Sequence, residues 1–225
     1  MSALFVTGTG TDIGKTFVTA ALIQELRRRG KLVSALKPVA SGFNRFEAAT
    51  TDPGILLAAL GLPISTEALD RIAPWRFEAP LSPDMAARRE NRTLDFDALV
   101  VFSRQAVAQA AGALLIEGVG GPMVPLDDTR TVLDWIAALK IAALLVGGSY
   151  LGAISHTLTA LAALRGAGIG VAAILINETP GSTVPLDETA AVIARFAGTT
   201  KTLTLPHRPH TSADHASLRQ IADLL

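Results

Sequence analysis

Ala3-Leu4-Phe5-Val6-Thr7-Gly8-Thr9-Gly10-Thr11-Asp12-Ile13-Gly14-Lys15-Thr16 is the stretch that decides the fold. The apolar run Ala3 to Val6 reads as a buried strand. Gly8 to Gly14 read as a glycine-rich turn, and Phe17 to Arg29 carry a helical pattern. Strand, glycine-rich turn, Gly-Lys-Thr and helix is the layout of a P-loop. Glycines let backbone N–H groups crowd around phosphate oxygens, and the helix N-terminus adds positive potential. On this reading Lys15 reaches the β- and γ-phosphates, and the Thr16 hydroxyl sits on Mg²⁺. Five residues separate Gly8 from Gly14-Lys15, one more than in the common pattern.

The chain has 225 residues, suited to a single α/β unit over 1–225. Hydrophobic residues make up 49% and charged residues 18%, enough for a large core. A formal net charge of zero argues against a nucleic-acid surface. With no cysteines, disulfides, thiolate metal sites and a Cys nucleophile are excluded. The chain runs straight into its first strand, so no signal peptide is expected. Residues 141–164 lack charge. Gly147-Gly148-Ser149-Tyr150 and His156 interrupt them, so a strand, loop and buried helix are expected rather than a membrane span. A cytoplasmic protein follows.

Past the first helix, the basic run Arg27-Arg28-Arg29 complements the helix dipole, and Gly30 suits its end. A strand from Leu32 to Leu36 ends at Lys37-Pro38-Val39-Ala40-Ser41-Gly42. Ligands in open α/β sheets bind beyond the carboxyl ends of strands. That position leaves Lys37 either facing the phosphate site or solvated in a loop. Residues 43–93 are less regular, which in a compact domain points to function. Within them Asp52 reads locally as the N-cap of a helix with Ile55 to Leu60. Trp75 to Pro83 reads as a Pro-punctuated loop, and Asp84 to Glu90 as a short helix.

Leu94 to Ala111 reads as an amphipathic helix. The strand Ala113 to Ile116 then ends in Glu117-Gly118-Val119-Gly120-Gly121-Pro122. An acid there is placed as the second Mg²⁺-side carboxylate of a P-loop enzyme, the alternative being an ordinary strand-end glutamate. Further helices are expected over 131–140, 151–165 and 185–196, and strands over 141–146, 171–176 and 202–205. A last helix is expected from Ala213. Asn177, at a strand end, either reads a base bidentately or forms a turn. The four histidines show no metal-ligand spacing. Alternating strands and helices give a doubly wound, mainly parallel sheet with helices on both faces, of P-loop NTPase type.

Taken together, the motifs resemble the dethiobiotin synthetase family. The resemblance rests on the stretched P-loop from Val6 to Thr16, on Lys37 to Gly42, and on Pro80-Leu81-Ser82-Pro83. It continues through Glu117 to Gly121 with Val124-Pro125-Leu126, Leu151-Gly152 with His156 to Thr159, and Asn177. It implies an ATP- and Mg²⁺-dependent cyclo-ligase. Such an enzyme carboxylates 7,8-diaminononanoate with CO₂ and closes the ureido ring, through a carbamate and its mixed anhydride with phosphate. Lys37, Lys15 and Thr11 match catalytic positions. Asp12, Ile13, Gly14, Thr16, Phe17, Glu117, Gly118, Val119 and Gly120 match the phosphate-side nucleotide site, while Asn177, Pro206 and His207 match the base pocket. Thr16, Asp52 and Glu117 match metal positions, and Thr11, Lys37 and Ser41 match diamine contacts. Tyr150, Leu151, Gly152 and Ala153 match a loop and helix start that meets the partner subunit's substrate carboxylate in a homodimer. Gly10, Tyr150, Ser155 and Asp84 depart from residues frequent in the family. Two other readings are an amidating P-loop ligase and a partitioning or positioning ATPase that switches partners. The first needs a Cys nucleophile, and the second a lysine where Gly10 stands.

Overall fold

A computed structural model describes residues 3–207 and 216–225. The chain runs β1 (Ala3–Gly8), α1 (Lys15–Arg28), β2 (Val33–Leu36), β3 (Val39–Ser41), a 3₁₀ segment (Arg45–Thr50), α2 (Asp52–Leu60), α3 (Thr66–Ile72), β4 (Trp75–Phe77) and α4 (Pro83–Arg89). It continues with α5 (Phe96–Gln109), β5 (Ala113–Glu117), α6 (Val132–Leu139), β6 (Ala142–Gly148), α7 (Ala153–Gly166), β7 (Val171–Asn177), α8 (Leu186–Phe196), β8 (Thr202–Leu205) and α9 (Ala216–Ala222). The expected start of the last helix at Ala213 lies outside the described residues, as do Arg208, Pro209 and His210.

Six strands form one parallel sheet in the order β2-β5-β1-β6-β7-β8. It is the expected mainly parallel sheet flanked by helices. β1 lies inside it because both of its faces are apolar: Leu4, Phe5 and Val6 are at most 2% exposed. Phe5 meets Trp135 of α6 edge-on, with centroids 4.8 Å apart. The indole N–H donates to Ser103 Oγ of α5 at 3.1 Å, so the large ring is buried without an orphaned donor. On α1, Ala20, Ala21, Ile23 and Leu26 are all buried, as their spacing predicts. The basic run at its end is structural. Arg28 and Arg29 both pair with the buried carboxylate of Glu25, and Arg27 donates to the Ala59 carbonyl.

The register sets up the site. Val6 pairs with Glu117, and Leu36 pairs with Ile116. The loops after β1, β2 and β5 therefore leave the sheet side by side, where strand order reverses about β1.

Two expectations are corrected. Trp75–Phe77 is a strand rather than loop, and it pairs in parallel with Val39–Ser41 in a separate two-stranded sheet. Three-residue strands beside prolines fall below the usual strand length, so their pattern is too short to register. Asp52 is not an N-cap. Thr51 holds that place with extended backbone, and Asp52 is the first helical residue. Pro53 fixes the turn that follows, and the Asp52 carboxylate goes instead to Lys37, at 3.0 Å. The helix α3 lies in a stretch where no element was expected. Ser65 Oγ accepts from Ala68 N–H at 3.2 Å to cap it.

Candidate active site

The phosphate loop is shaped by close packing. A Cβ on Gly8 would lie 2.3 Å from Ile13 Cδ1, so a larger residue there would displace the Ile13 side chain folded back onto the end of β1. Gly14 has φ +88°, which a side chain would strain. Asp12, at φ 57°, also sits in the left-handed region, and such strain recurs at ligand sites. Lys15 is 7% exposed, and its ammonium donates to the Gly10 carbonyl at 2.7 Å. The backbone at residue 10 thus supplies an acceptor for Lys15. Burial, and then the nearby Lys37 charge, lower the Lys15 pKa to about 8.

Lys37 is held from three sides. Its N–H donates to the Ile72 carbonyl at the end of α3 (2.9 Å), and Trp75 N–H donates to the Pro38 carbonyl (3.0 Å). The helix α3 and the small sheet therefore fix the exit from β2. Its side chain is 2% exposed, and the ammonium donates to Glu117 Oε1 at 2.7 Å and to the Gly118 carbonyl at 2.8 Å. Burial alone would push Lys37 down. The Glu117 and Asp52 carboxylates outweigh it and hold the lysine above its ordinary value. Asp52 feels the converse. Its burial is overcome, chiefly by Lys37, and its carboxyl is held below the ordinary value.

Glu117 is fully buried. Its Oε1 also accepts from the Thr16 hydroxyl at 2.7 Å, while its Oε2 has no hydrogen-bond partner. The ammonium of Lys37 thus stands as a cation between two carboxylates, with a hydroxyl beside them. Among the described residues no group of three or more His, Cys, Asp or Glu gathers. Two carboxylates and a hydroxyl, with one carboxylate oxygen still unpartnered, fit a Mg²⁺ ion that keeps water and phosphate ligands. Thr16, Asp52 and Glu117 are the residues that would hold it.

Apart from the fully buried Glu117, these groups open onto one cleft of about 850 Å³. Its walls bring together Thr11, Asp12, Gly14, Lys15, Thr16, Lys37, Ser41, Asp52, Val119 and Gly120, all expected at the site. Ile13 and Phe17 do not line it. Ile13 is packed inward, and Phe17 is 53% exposed. Gly118 serves from behind: its carbonyl takes the Lys37 ammonium, and a Cβ there would lie 2.7 Å from Phe5 Cε1. Phe43, Asn44 and Glu47 also line the cleft and were not expected. Their one local signal is Asn44, whose side chain accepts from Phe46 N–H at 3.0 Å and starts the 3₁₀ turn. Which way that turn faces is set by packing alone.

Other expected residues lie outside the cleft. Asn177 ends β7 beside the P-loop. Pro206 and His207 follow β8, and His207 N–H donates to Glu178 Oε2 at 2.7 Å. Tyr150 to Ala153 leave β6 and enter α7. There the Tyr150 hydroxyl and His156 Nδ1 lie 2.9 Å apart, and Leu151 is 92% exposed. Ser149 and Thr179 exchange side chain to backbone hydrogen bonds at 3.1 and 3.0 Å, tying the loops after β6 and β7 together.

A family model described as an AAA domain matches residues 2–215. The ATP-dependent dethiobiotin synthetase BioD of Acidiphilium cryptum strain JF-5 is 51% identical over 201 residues, covering 89% of this chain and 90% of that protein. The protein of the same name from Caulobacter sp. strain K31 is 55% identical over 200 residues, covering 87% and 84%. Among solved structures, the cell division ATPase MinD of Pyrococcus furiosus superposes with a TM-score of 0.60 over 100% of this chain and 97% of its own, at 19% identity. At that identity the likeness shows the fold alone. With its stretched P-loop and its buried lysine between two carboxylates, and with half of its residues shared along nine-tenths of the chain, the protein belongs to the ATP-dependent dethiobiotin synthetase family.

Proposed function

We propose that residues 1–225 form one catalytic unit that closes the ureido ring of dethiobiotin, using ATP, CO₂ and 7,8-diaminononanoate. The observation that carries this reading is the convergence of Lys15, Lys37, Thr16 and Asp52 on one cleft, with the buried Glu117 carboxylate paired to Lys37. One amine of the substrate takes up CO₂ and loses a proton, giving a carbamate. A carbamate oxygen attacks the γ-phosphorus and ADP leaves. The neighbouring amine then attacks the carbamoyl carbon and phosphate leaves, closing the ring.

Carbamate and triphosphate are both anionic, so their approach requires fixed positive charge. Lys15 holds the β- and γ-phosphates. Lys37 stabilises the carbamate and the phosphoryl group in transfer. Thr16, Asp52 and Glu117 would hold a Mg²⁺ ion, which would supply further charge neutralisation. Thr11 and Ser41 orient the diamine. Asn177, Pro206 and His207 take the adenine. A homodimer goes with this reading: Tyr150, Leu151, Gly152 and Ala153 meet the substrate carboxylate across the interface, at the N-terminus of α7. Their absence from the walls of their own chain's cleft and the exposure of Leu151 support it. A cytoplasmic location rests on this reading alone. The partner-switching reading draws on nothing beyond the shared fold.

Purified protein given the diamine, bicarbonate, Mg²⁺ and ATP should form dethiobiotin and ADP. Failure of the diamine to stimulate ADP release would remove the proposal.

A further inference from the structure

Asn177 closes β7, yet its amide reaches the phosphate loop. Asn177 Nδ2 donates to the Ile13 carbonyl at 3.2 Å. A Cβ on the next residue, Gly14, would lie 2.2 Å from that same nitrogen. The amide thus fills the space that any larger residue at 14 would need.

The Ile13–Gly14 peptide is the pivot of the loop. Left-handed residues flank it, Asp12 at φ 57° and Gly14 at φ 88°. On one side the Ile13 side chain is locked against Gly8. On the other, the Gly14 carbonyl accepts from Val18 N–H at 2.9 Å and begins α1. In a trans peptide the carbonyl and the following N–H point opposite ways. Holding the Ile13 carbonyl on Asn177 therefore turns the Gly14 N–H away from β7, toward the cleft that Gly14 lines. N–H groups at this place bind phosphate.

We infer that Asn177 is a positioning residue for the triphosphate, aiming the Gly14 N–H through its hydrogen bond to Ile13. One hydrogen of Nδ2 is committed to that bond, which leaves Oδ1 and the second hydrogen for a base. A single side chain thereby joins the base side of the sheet to the phosphate cradle. The inference rests on the nucleotide-binding part of the proposed function and is independent of the diamine.

The test is titration calorimetry of the full chain with Mg²⁺-tripolyphosphate, which has no base, and with Mg²⁺-ATP. Asn177→Ala should weaken Mg²⁺-tripolyphosphate on the order of 5- to 10-fold, the loss of one hydrogen bond, and Mg²⁺-ATP by at least that factor, because the base contact goes with it. Asn177→Ser, which keeps a shorter donor, should fall between and carries the same comparison if the alanine protein does not fold. A purely structural role would lower the binding-competent fraction without shifting Kd. Unchanged tripolyphosphate affinity would overturn the inference, whether or not ATP weakens. Absence of diamine-dependent turnover in the unaltered protein would remove the ligase proposal and leave this comparison standing.

Discussion

Replacing Lys37 by methionine removes the ammonium that pairs with both Glu117 and Asp52. In the intact protein the ammonium lies 2.7 Å from Glu117 Oε1 and 3.0 Å from Asp52 Oδ2, with 2% of the lysine side chain exposed. Methionine fills much of the same volume and carries no charge. Glu117 is fully buried, and Oε2 already has no partner, so the carboxylate would keep only the Thr16 hydroxyl. Stranding a buried charge in this way costs about 3–5 kcal/mol. Asp52 is 45% exposed and solvent screens it, so it adds little. We expect Lys37→Met to lose about 3 kcal/mol or more in urea unfolding with chelator present, a large share of the ~5–15 kcal/mol of an ordinary domain. Adding Mg²⁺ should return much of that loss in the variant and stabilise the unaltered protein far less, because its carboxylates already have a cation. Glu117→Gln on the Lys37→Met background should recover stability, since the stranded charge is then gone. A loss under about 1 kcal/mol, or Mg²⁺ responses that do not differ between the two proteins, would refute the reasoning.

Further expectations concern turnover, metal, pH and assembly. Lys37→Gln should lower kcat by on the order of 10²-fold or more, the size of a lost transition-state donor, and unchanged kcat would reduce Lys37 to a structural cation. Asp52→Asn should raise the Mg²⁺ concentration needed for half-maximal activity, and an unchanged Mg²⁺ curve would remove Asp52 from the metal site. Lys15 titrates at about 8 in the folded protein against an ordinary 10.5, so between those values the unfolded chain holds a proton that the folded chain lacks. The contribution of this group to stability therefore rises with pH across that window. Phosphates favour the charged lysine, so ATP binding should take up a proton above pH 8 and weaken by at most ~10-fold per pH unit, read as Kd and as buffer-dependent enthalpy. A flat Kd from pH 7.5 to 9.5 would contradict this. If the proposed homodimer forms through Tyr150 to Ala153, Leu151→Asp should shift the sedimenting species from dimer toward monomer, and an unchanged profile would refute that interface.

Local chemistry made much of this protein legible in its sequence. Gly8 to Thr16 announce a phosphate cradle because strand, glycines, Lys15 and Thr16 are contiguous. The apolar runs of β1, β5, β6 and β7 announce a parallel sheet because strands buried on both faces must be apolar throughout. Lys37 and Glu117 were visible as strand-end residues, and the family resemblance brought them together. Their ion pair, however, follows from register. Leu36 pairs with Ile116 and Val6 with Glu117, and only three aligned strands make the loops that follow them neighbours. Asp52 shows the same division. Its local sequence fits a cap, and the Lys37 ammonium, distant in the chain, draws its carboxylate elsewhere. The small sheet of β3 and β4 and the wall from Phe43 to Glu47 were not legible, because three-residue strands and a lone turn carry no period of their own. Asn177 was readable as a base contact or a turn. Its hydrogen bond to Ile13 spans 164 positions of sequence. Sequence alone determined the phosphate cradle, since motif chemistry is local, and the family resemblance implied the reaction. Tertiary structure decided which charges face one another, because a charge pair is set by distance in space and burial rather than by separation along the chain.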